Sequence, residues 1–270
     1  MRKNLYTFLL TLIGLSPLLS ISLSVAAEPS PDPVQIAAIQ IQPGSKEPEG
    51  LETVPPATVS IGLDVTLASK YLFYGIDYSD DKPVVQPEAT FSIKDISAIL
   101  WFNYDLDKKE ANEFDLYLQY SREIKDFSLI TGYAHYNYPH REGWNPSQEV
   151  FIEASGKTML NPSLGVHYDF DDGNGAYFNL GINHETGPSL GAVSLGINLF
   201  YMDNYYENSG FPSTEFNVNK EFSFGSLTVT PSVSYFLSWD NGDFRDDNAV
   251  SDTLLFSINI AHTFQYHSKS

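Results

Sequence analysis

Three kinds of feature are missing from the 270-residue chain or scarce in it. Cysteine is absent, which fits a compartment where a stray thiol would be oxidised, although a cysteine-free cytosolic chain is also possible. Lys and Arg number 15 against 34 Asp and Glu, and the net charge of −19 argues against nucleic acid and against a polybasic anchor to anionic lipid. Beyond the N-terminus, no unbroken apolar run is long enough to span a bilayer as a helix. We therefore expect a chain that is either soluble outside the cytoplasm or crosses a membrane as strands.

The N-terminal segment 1–27 has the organisation of a secretory signal peptide. Arg2 and Lys3 precede a long apolar run, and that run closes on small residues at Ala27. We predict cleavage after Ala27. An uncleaved anchor helix is the alternative, because the run is long enough to span a bilayer, but Pro17 within the run favours cleavage.

Residues 28–56 form the next segment, which is rich in proline and acidic residues and poor in aromatic ones. This composition predicts an extended periplasmic linker. Its VQIAAIQI patch is the part that could pair as a strand or bind a periplasmic partner. The predicted organisation is a signal peptide at 1–27, the linker at 28–56, a β-barrel at 57–266 and a short tail at 267–270.

Residues 57–266 repeat a segment of about ten residues in which every second side chain is apolar, the period of a β-strand. About twelve such strands follow one another, and long polar connections alternate with short ones. This rhythm predicts an all-β fold, an antiparallel up-and-down transmembrane β-barrel with short turns at the periplasmic rim and longer loops outside. A strand-built span must close on itself, because hydrocarbon offers the backbone no hydrogen-bond partners.

The polar face of the strands carries carboxylates, which help to decide between this barrel and a soluble β-sandwich or lipocalin-like barrel. They are Asp64, Glu88, Asp115 and Glu153. An unpaired carboxylate costs on the order of several kcal/mol in a packed core but little in a wet lumen. The membrane barrel is therefore favoured, and these four residues are the candidates for lining its lumen and selecting cations. A slip of one position in register would turn each of them toward lipid.

Aromatic residues gather near the predicted strand ends. Tyr71, Phe73 and Tyr74 follow the first strand, and we expect these rings to lie at the level of the lipid headgroups, where amphipathic rings settle. The last strand carries Phe264 and Tyr266 near its end, as in the closing strand that the barrel-assembly machinery recognises, although the trailing HSKS departs from that pattern.

Residues 69–93 resemble the hallmark of the TorF family of outer-membrane porins, a Gcw_chp-type β-barrel. The family motif, S-x-Y-x-F-R-G-[IV]-x-x-S followed closely by P-x-x-Q, is matched at Ser69, Tyr71, Phe73, Gly75, Ile76, Ser79, Pro83 and Gln86. Tyr74 stands where the family usually has arginine, and Pro87 where glycine is common, so a charge-selective role of that arginine does not transfer. The resemblance implies a channel-type barrel.

A barrel enzyme that modifies lipid is the third hypothesis. Such an enzyme needs a histidine beside a serine, oriented by Asn or Glu, and no histidine of this chain stands in an H-x-S-N pattern. His140, in PHREGW, is the most suggestive, but a lone loop histidine is usually a solvated residue. The acidic turns at 169–175 and 240–248 resemble calcium loops in spacing but lack the complete ligand pattern. We predict no enzyme activity, no catalytic or metal site, and no cofactor.

The leading hypothesis is an outer-membrane channel for passive diffusion of ions or small polar solutes, weakly cation-selective. The alternative is a non-conducting structural or scaffolding barrel that binds a periplasmic partner through residues 28–56. The expected partners are outer-membrane lipid and lipopolysaccharide, the barrel-assembly machinery and small solutes or ions, with no nucleic acid. We expect the chain in the outer membrane of a Gram-negative-type envelope, exported with a cleaved signal peptide.

Overall fold

The computed structural model describes residues 58–187, 192–243 and 251–267. The predicted signal peptide and linker lie outside the described residues, as do residues 244–248 of the acidic segment. No helix in the described part of the chain is long and apolar enough to cross a membrane. The strands found there are β1 Thr58–Ala68, β2 Leu72–Phe73, β3 Ile76–Asp77, β4 Val84–Ile93, β5 Ile96–Asp105, β6 Glu110–Ile124, β7 Phe127–Asn137, β8 Ser147–Gly156, β9 Ser163–Asp169, β10 Gly175–Glu185, β11 Ser194–Tyr205, β12 Asn208–Asn219, β13 Phe222–Phe224, β14 Leu227–Asp243 and β15 Thr253–His267.

Twelve of these strands form one closed antiparallel barrel, which confirms the predicted fold class. From β4 to β12 each strand pairs with its neighbours in the chain, β1 lies between β4 and β15, and β14 joins β15 to β12. The short β13 pairs only with the beginning of β14, and β2 and β3 form a separate small hairpin. Because each spanning strand has a partner on both sides, the barrel leaves no open edge, as a hydrocarbon environment requires.

The two faces of the barrel wall are opposite in character. Leu63 and Leu67 of β1 are exposed on the outside, whereas Asp64 between them points to the other side, as the period of two demands. Among the described residues, buried polar and charged side chains outnumber buried apolar ones, and they include Glu149 and Asp169 with no exposed surface. A soluble protein has the reverse arrangement, so this outer surface is suited to acyl chains and the interior to water.

The connections meet at two rims. At one rim, which we call the loop rim, lie residues 69–83, 106–109, 138–146, 170–174, 206–207 and 251–252. At the other, the turn rim, lie residues 94–95, 125–126, 157–162, 186–187, 192–193 and 220–226. The longest connection, 69–83, belongs to the loop rim, but the two sets overlap in length.

The segment MDNYYENSGFPS, residues 202–213, is one of the long polar connections that the sequence predicts, and this prediction is wrong. β11 and β12 both continue through that segment and leave only residues 206–207 between them. Met202 and Tyr205 are buried in the lumen there, and Asn204 Nδ2 donates a hydrogen bond to the Asn174 carbonyl oxygen at 2.8 Å. The composition of this segment is typical of a loop, but contacts with neighbouring elements stabilise it as an extension of β11 and β12.

Candidate functional site

Residues 69–83 fold back into the barrel, and we call them the inserted loop. Its own side chains close it: the Asp77 carboxylate accepts hydrogen bonds from the backbone N–H groups of Ser79 and Asp81, each at 2.8 Å. The Ser79 hydroxyl accepts from the Tyr71 N–H at 2.8 Å, and the Tyr78 N–H donates to the Tyr71 carbonyl at 2.9 Å. Asp and Ser commonly satisfy the backbone of turns in this way, so the loop is a preformed unit.

The tip of the inserted loop packs on the lumen side of β10 and β11. Ile76 is buried in one cluster with Tyr177, Met202 and Tyr205. The Phe73 ring meets Tyr177 edge-on, with ring centroids 5.6 Å apart. The prediction that Tyr71, Phe73 and Tyr74 lie at the lipid headgroups is therefore wrong. The long loop turns into the lumen, where Phe73 and Tyr74 meet rings of β10 and β11 and Tyr71 meets the Trp101 ring of β5.

A polar contact and a glycine fix the same tip against β12. Ser213 Oγ donates a hydrogen bond to the Tyr74 carbonyl oxygen at 2.7 Å, and the Tyr74 ring stacks on Phe200 at 4.3 Å. Tyr74 and Gly75 both have positive φ angles, of 54° and 89°. A Cβ atom at Gly75 would lie 2.6 Å from Ser213 Oγ, so only glycine permits this close approach.

The base of the inserted loop reaches β5 and β6 on the other side of the lumen. Tyr71 donates a hydrogen bond from its hydroxyl to Glu113 Oε1 at 3.2 Å, and its ring lies 5.7 Å from that of Trp101. Burial raises the pKa of the Tyr71 phenol well above its usual range, and the charge of Glu113 raises it further. Tyr71 is therefore a neutral donor, and the inserted loop crosses the lumen from one wall to the other.

Between the inserted loop and the wall lies a cavity of about 440 Å³. Aromatic side chains make up much of its lining, contributed by both the loop and the strands. The acidic and basic side chains that line it are Glu88, Glu113, Asp115, Glu153, Arg141 and His167. Acidic side chains thus outnumber basic ones in the lining.

Three of the four predicted lumen carboxylates lie in one row across the barrel wall. Asp64 pairs with Glu88, Glu88 pairs with Trp101, and Trp101 pairs with Asp115 on successive strands. Asp64 accepts a hydrogen bond from Asn259 at 3.1 Å, and Glu88 accepts one from Thr90 at 3.0 Å. These side chains lie on the inner face of the wall.

Asp115 and Glu153 differ in how they are held. Asp115 is only 3% exposed, and its Oδ2 accepts a hydrogen bond from Tyr117 at 3.2 Å. Its Oδ1 has no hydrogen-bond partner among the described residues. Glu153 lies in a different row on β8, and its Oε1 is 3.2 Å from His167 Nε2. Glu153 is thus tied to a histidine, whereas Asp115 has one free carboxylate oxygen.

Sequence reasoning missed a buried network around Glu149. Its carboxylate lies 2.7 Å from His167 Nδ1 and accepts hydrogen bonds from the hydroxyl groups of Tyr136 at 3.0 Å, Tyr177 at 3.4 Å and Tyr205 at 3.4 Å. The His167 ring stacks on that of Tyr177 at 4.2 Å. Strand alternation could have found Glu149, since it shares a face of β8 with Glu153, but its tyrosine partners come from distant strands.

The motif residues serve mainly to hold the inserted loop. Gly75 and Ile76 form its docked tip, and Ser79 closes it. Ser69 at the start of the motif, and Pro83 and Gln86 at its end, contact the barrel wall. Ser69 exchanges hydrogen bonds with the Phe256 backbone at 2.8 and 3.1 Å, the Pro83 carbonyl accepts from the Leu106 N–H at 3.1 Å, and Gln86 donates to Asn103 at 3.1 Å. Burial raises the pKa of Tyr74, the residue at the position of the family arginine, so that it is uncharged.

The other candidates from the sequence stand apart from this site or lack its features. His140 is exposed at the loop rim, where its Nδ1 lies 3.1 Å from the Ala111 carbonyl oxygen. Within the described ranges, no group of three or more His, Asp or Glu side chains is arranged to hold a metal ion. The turn at 169–175 is instead closed internally, because Asp169 accepts from Ser147 Oγ at 2.7 Å and from the Asp171 N–H at 2.9 Å.

Solved barrels of outer-membrane channels are similar to this chain at low identity. OccK1 (OpdK) from Pseudomonas aeruginosa is 11% identical with a TM-score of 0.37, over 74% of this chain and 60% of the other. An outer-membrane channel from Pseudomonas putida F1 is 12% identical with a TM-score of 0.41, over 82% and 100%. OccAB3 from Acinetobacter baumannii is 8% identical with a TM-score of 0.38, over 80% and 66%. The chain thus spans less than two thirds of the length of OccK1.

Curated protein sequences give no match. A family model described as "Bacterial protein of unknown function (Gcw_chp)" matches residues 52–186, half of the 270-residue chain. The matched region contains the inserted loop and strands β1 to β10. The chain therefore belongs to the Gcw_chp family of bacterial proteins.

Proposed function

We propose that this protein is an outer-membrane channel for passive diffusion of ions and small polar solutes, with a weak preference for cations. The observation that carries the proposal is a closed barrel with an apolar outer face and, inside it, a cavity of about 440 Å³ lined by charged and aromatic side chains. A wall of this kind lowers the cost of moving a polar solute across hydrocarbon. The excess of lumen carboxylates over cationic groups supports the cation preference.

The inserted loop forms the constriction of the proposed channel. It contacts β5 and β6 through Tyr71 and β10 to β12 through its tip, so a solute must pass beside it. Recording from refolded full-length protein in planar bilayers tests the function. We expect stepwise conductance whose size rises with salt concentration. The absence of such steps across a range of salts would overturn the channel.

A non-conducting scaffolding barrel is the second candidate, and the docked loop is the observation that favours it, because the loop occupies much of the lumen. In that case residues 28–56 would hold a periplasmic partner. A chain lacking 28–56 would separate the two functions. Unchanged conductance, with no partner lost in pull-down, would count against the scaffold.

The remaining assignments rest on sequence and on the barrel together. We assign the chain to the TorF family on its motif, and we place it in the outer membrane in contact with lipopolysaccharide, after export by a cleaved signal peptide and insertion by the barrel-assembly machinery. We also propose that it is not an enzyme, which predicts an unchanged lipid profile in a strain that lacks it.

A further inference from the structure

One cationic side chain of the protein itself, that of Arg141, lines the cavity. The guanidinium carbon of Arg141 lies 4.9 Å from the ring centroid of Trp144, 5.4 Å from that of Tyr78 and 6.0 Å from that of Tyr71. Its Nη2 atom lies 3.9 Å from Glu113 Oε2 and donates to the Tyr78 carbonyl oxygen at 3.2 Å. Rings and a carboxylate together stabilise a cation that has been removed from water.

Next to Arg141 lies a carboxylate, that of Asp115, with one unpaired oxygen. Asp115 follows Glu113 on the same face of β6, is 3% exposed and lines the cavity. Its Oδ1 has no hydrogen-bond partner in the described part of the chain. Trp101 and Tyr136 are the residues directly opposite Asp115 on the two neighbouring strands. A buried carboxylate oxygen without a donor is destabilising, and a cationic ligand would remove that cost.

We propose that this cavity binds a small organic cation, an ammonium or guanidinium compound with an apolar body, with Asp115 as its counter-ion. The proposal deepens the proposed function and rests on it, since solute reaches the cavity only through the lumen. The volume of about 440 Å³ lies within the usual range for sites of small molecules. Cationic solutes are favoured because Glu88, Asp115 and Glu153 face only one guanidinium and one imidazole across the cavity.

An organic cation fits the lining better than a metal ion does. In the stretches that the structure describes, no three carboxylates or imidazoles converge as a metal would need. Aromatic faces attract cations that have given up their water, and they accept the apolar body of an amine as well. The internal guanidinium of Arg141 shows that the same combination of groups is compatible with such a cation here.

Three probes of one shape test the proposal on folded full-length protein in detergent: benzylammonium, benzyl alcohol and benzoate. Binding is followed by titration calorimetry. We expect benzylammonium to bind at least about tenfold more tightly than the neutral and anionic probes, because only the cation brings a positive charge together with its hydrogen-bond donors to the free carboxylate oxygen. Equal affinities for the three probes, or no binding at all, would overturn the site without any variant being made.

Two variants then locate the site. Asp115→Asn keeps the shape of the side chain and should weaken benzylammonium binding by about tenfold or more. Asp126→Asn, an exposed carboxylate in the 125–126 turn at the opposite rim, is the matched control and should bind as the unaltered protein does. Unchanged affinity in folded Asp115→Asn would overturn the assignment of the counter-ion. Conductance in KCl, recorded on the same preparation, distinguishes failure of the binding site from failure of the channel. Conductance steps without benzylammonium binding would overturn the binding site alone. Binding without conductance steps would overturn the channel function alone.

Discussion

Ser213 and Tyr74 are 139 residues apart in the chain, and the Ser213 hydroxyl donates a 2.7 Å hydrogen bond to the Tyr74 carbonyl oxygen. One residue belongs to the barrel wall and the other to the tip of the inserted loop, so this contact fixes the loop across the lumen. The apolar cluster around Ile76 adds to the attachment. The width of the lumen thus depends on a loop that a limited set of contacts holds in place.

Replacement of Gly75 by valine should release the tip of the inserted loop. The new Cβ atom would lie 2.6 Å from Ser213 Oγ, and the residue would need a φ of 89°, which valine strongly disfavours. We expect a strain of about 1–3 kcal/mol in the docked state and therefore larger or more frequent conductance steps in planar bilayers. Gly143→Val is the control, because Gly143 also has a positive φ, of 84°, but no atom lies within 4 Å of its added Cβ. Equal conductance of the two variants would contradict the constriction.

The barrel itself was predictable from the sequence. Both the alternation of apolar and polar residues and the regular spacing of turns depend on residues that are close together in the chain. The placement of Asp64 and Glu88 on one face follows from the same period, and the structure pairs them directly. The position of Tyr71 and Tyr74 was not predictable, because a loop of this length can turn toward lipid or lumen with the same local sequence. Partners on β5 and β6 for Tyr71, and on β10 to β12 for Tyr74, decide the outcome, and they are distant from the loop in sequence.

The four predicted lumen carboxylates should set ion selectivity. Replacing Asp64, Glu88, Asp115 and Glu153 together by their amides removes negative charge from the lumen while keeping side-chain shape. In a KCl gradient, we expect the reversal potential of this variant to move toward zero relative to the unaltered channel, as preference for potassium falls. Asp126→Asn, outside the lumen at the turn rim, serves again as control and should leave the reversal potential unchanged. A quadruple variant with unaltered selectivity would show that other groups govern it.

Glu149 should be important for stability rather than for ion passage. The carboxylate is fully buried, accepts hydrogen bonds from three tyrosine hydroxyls and lies 2.7 Å from His167 Nδ1. Glu149→Ala removes this acceptor from the buried Tyr136 and Tyr205 hydroxyls, while Tyr177 and His167 keep their 2.8 Å contact with each other. We therefore expect a loss on the order of 3 kcal/mol in the free energy of unfolding. This loss is measured by gel electrophoresis of unheated samples. The variant should lose the mobility of the folded form at a lower urea concentration than the unaltered protein does.

Glu153→Ala is the comparison for that experiment. The Glu153 side chain is 40% exposed, and its hydrogen-bond partner among the described residues is His167 Nε2, at 3.2 Å. Its removal should lower stability by less than about 1 kcal/mol. If the two variants unfolded at the same urea concentration, the Glu149 network would not have the structural importance that its burial indicates.

The outer surface gives a test of membrane insertion that is independent of conduction. Leu180 lies at the middle of β10 and is 56% exposed, whereas Phe127 begins β7 beside the turn rim and is 62% exposed. Arginine on the lipid face of a barrel costs about 2–4 kcal/mol at the centre of the bilayer but about 0–1 kcal/mol near its surface. Leu180→Arg should therefore destabilise the barrel in lipid vesicles much more than Phe127→Arg does, as measured by denaturant unfolding of vesicle-inserted protein. In a soluble barrel the two substitutions would differ little, because both side chains would already face water.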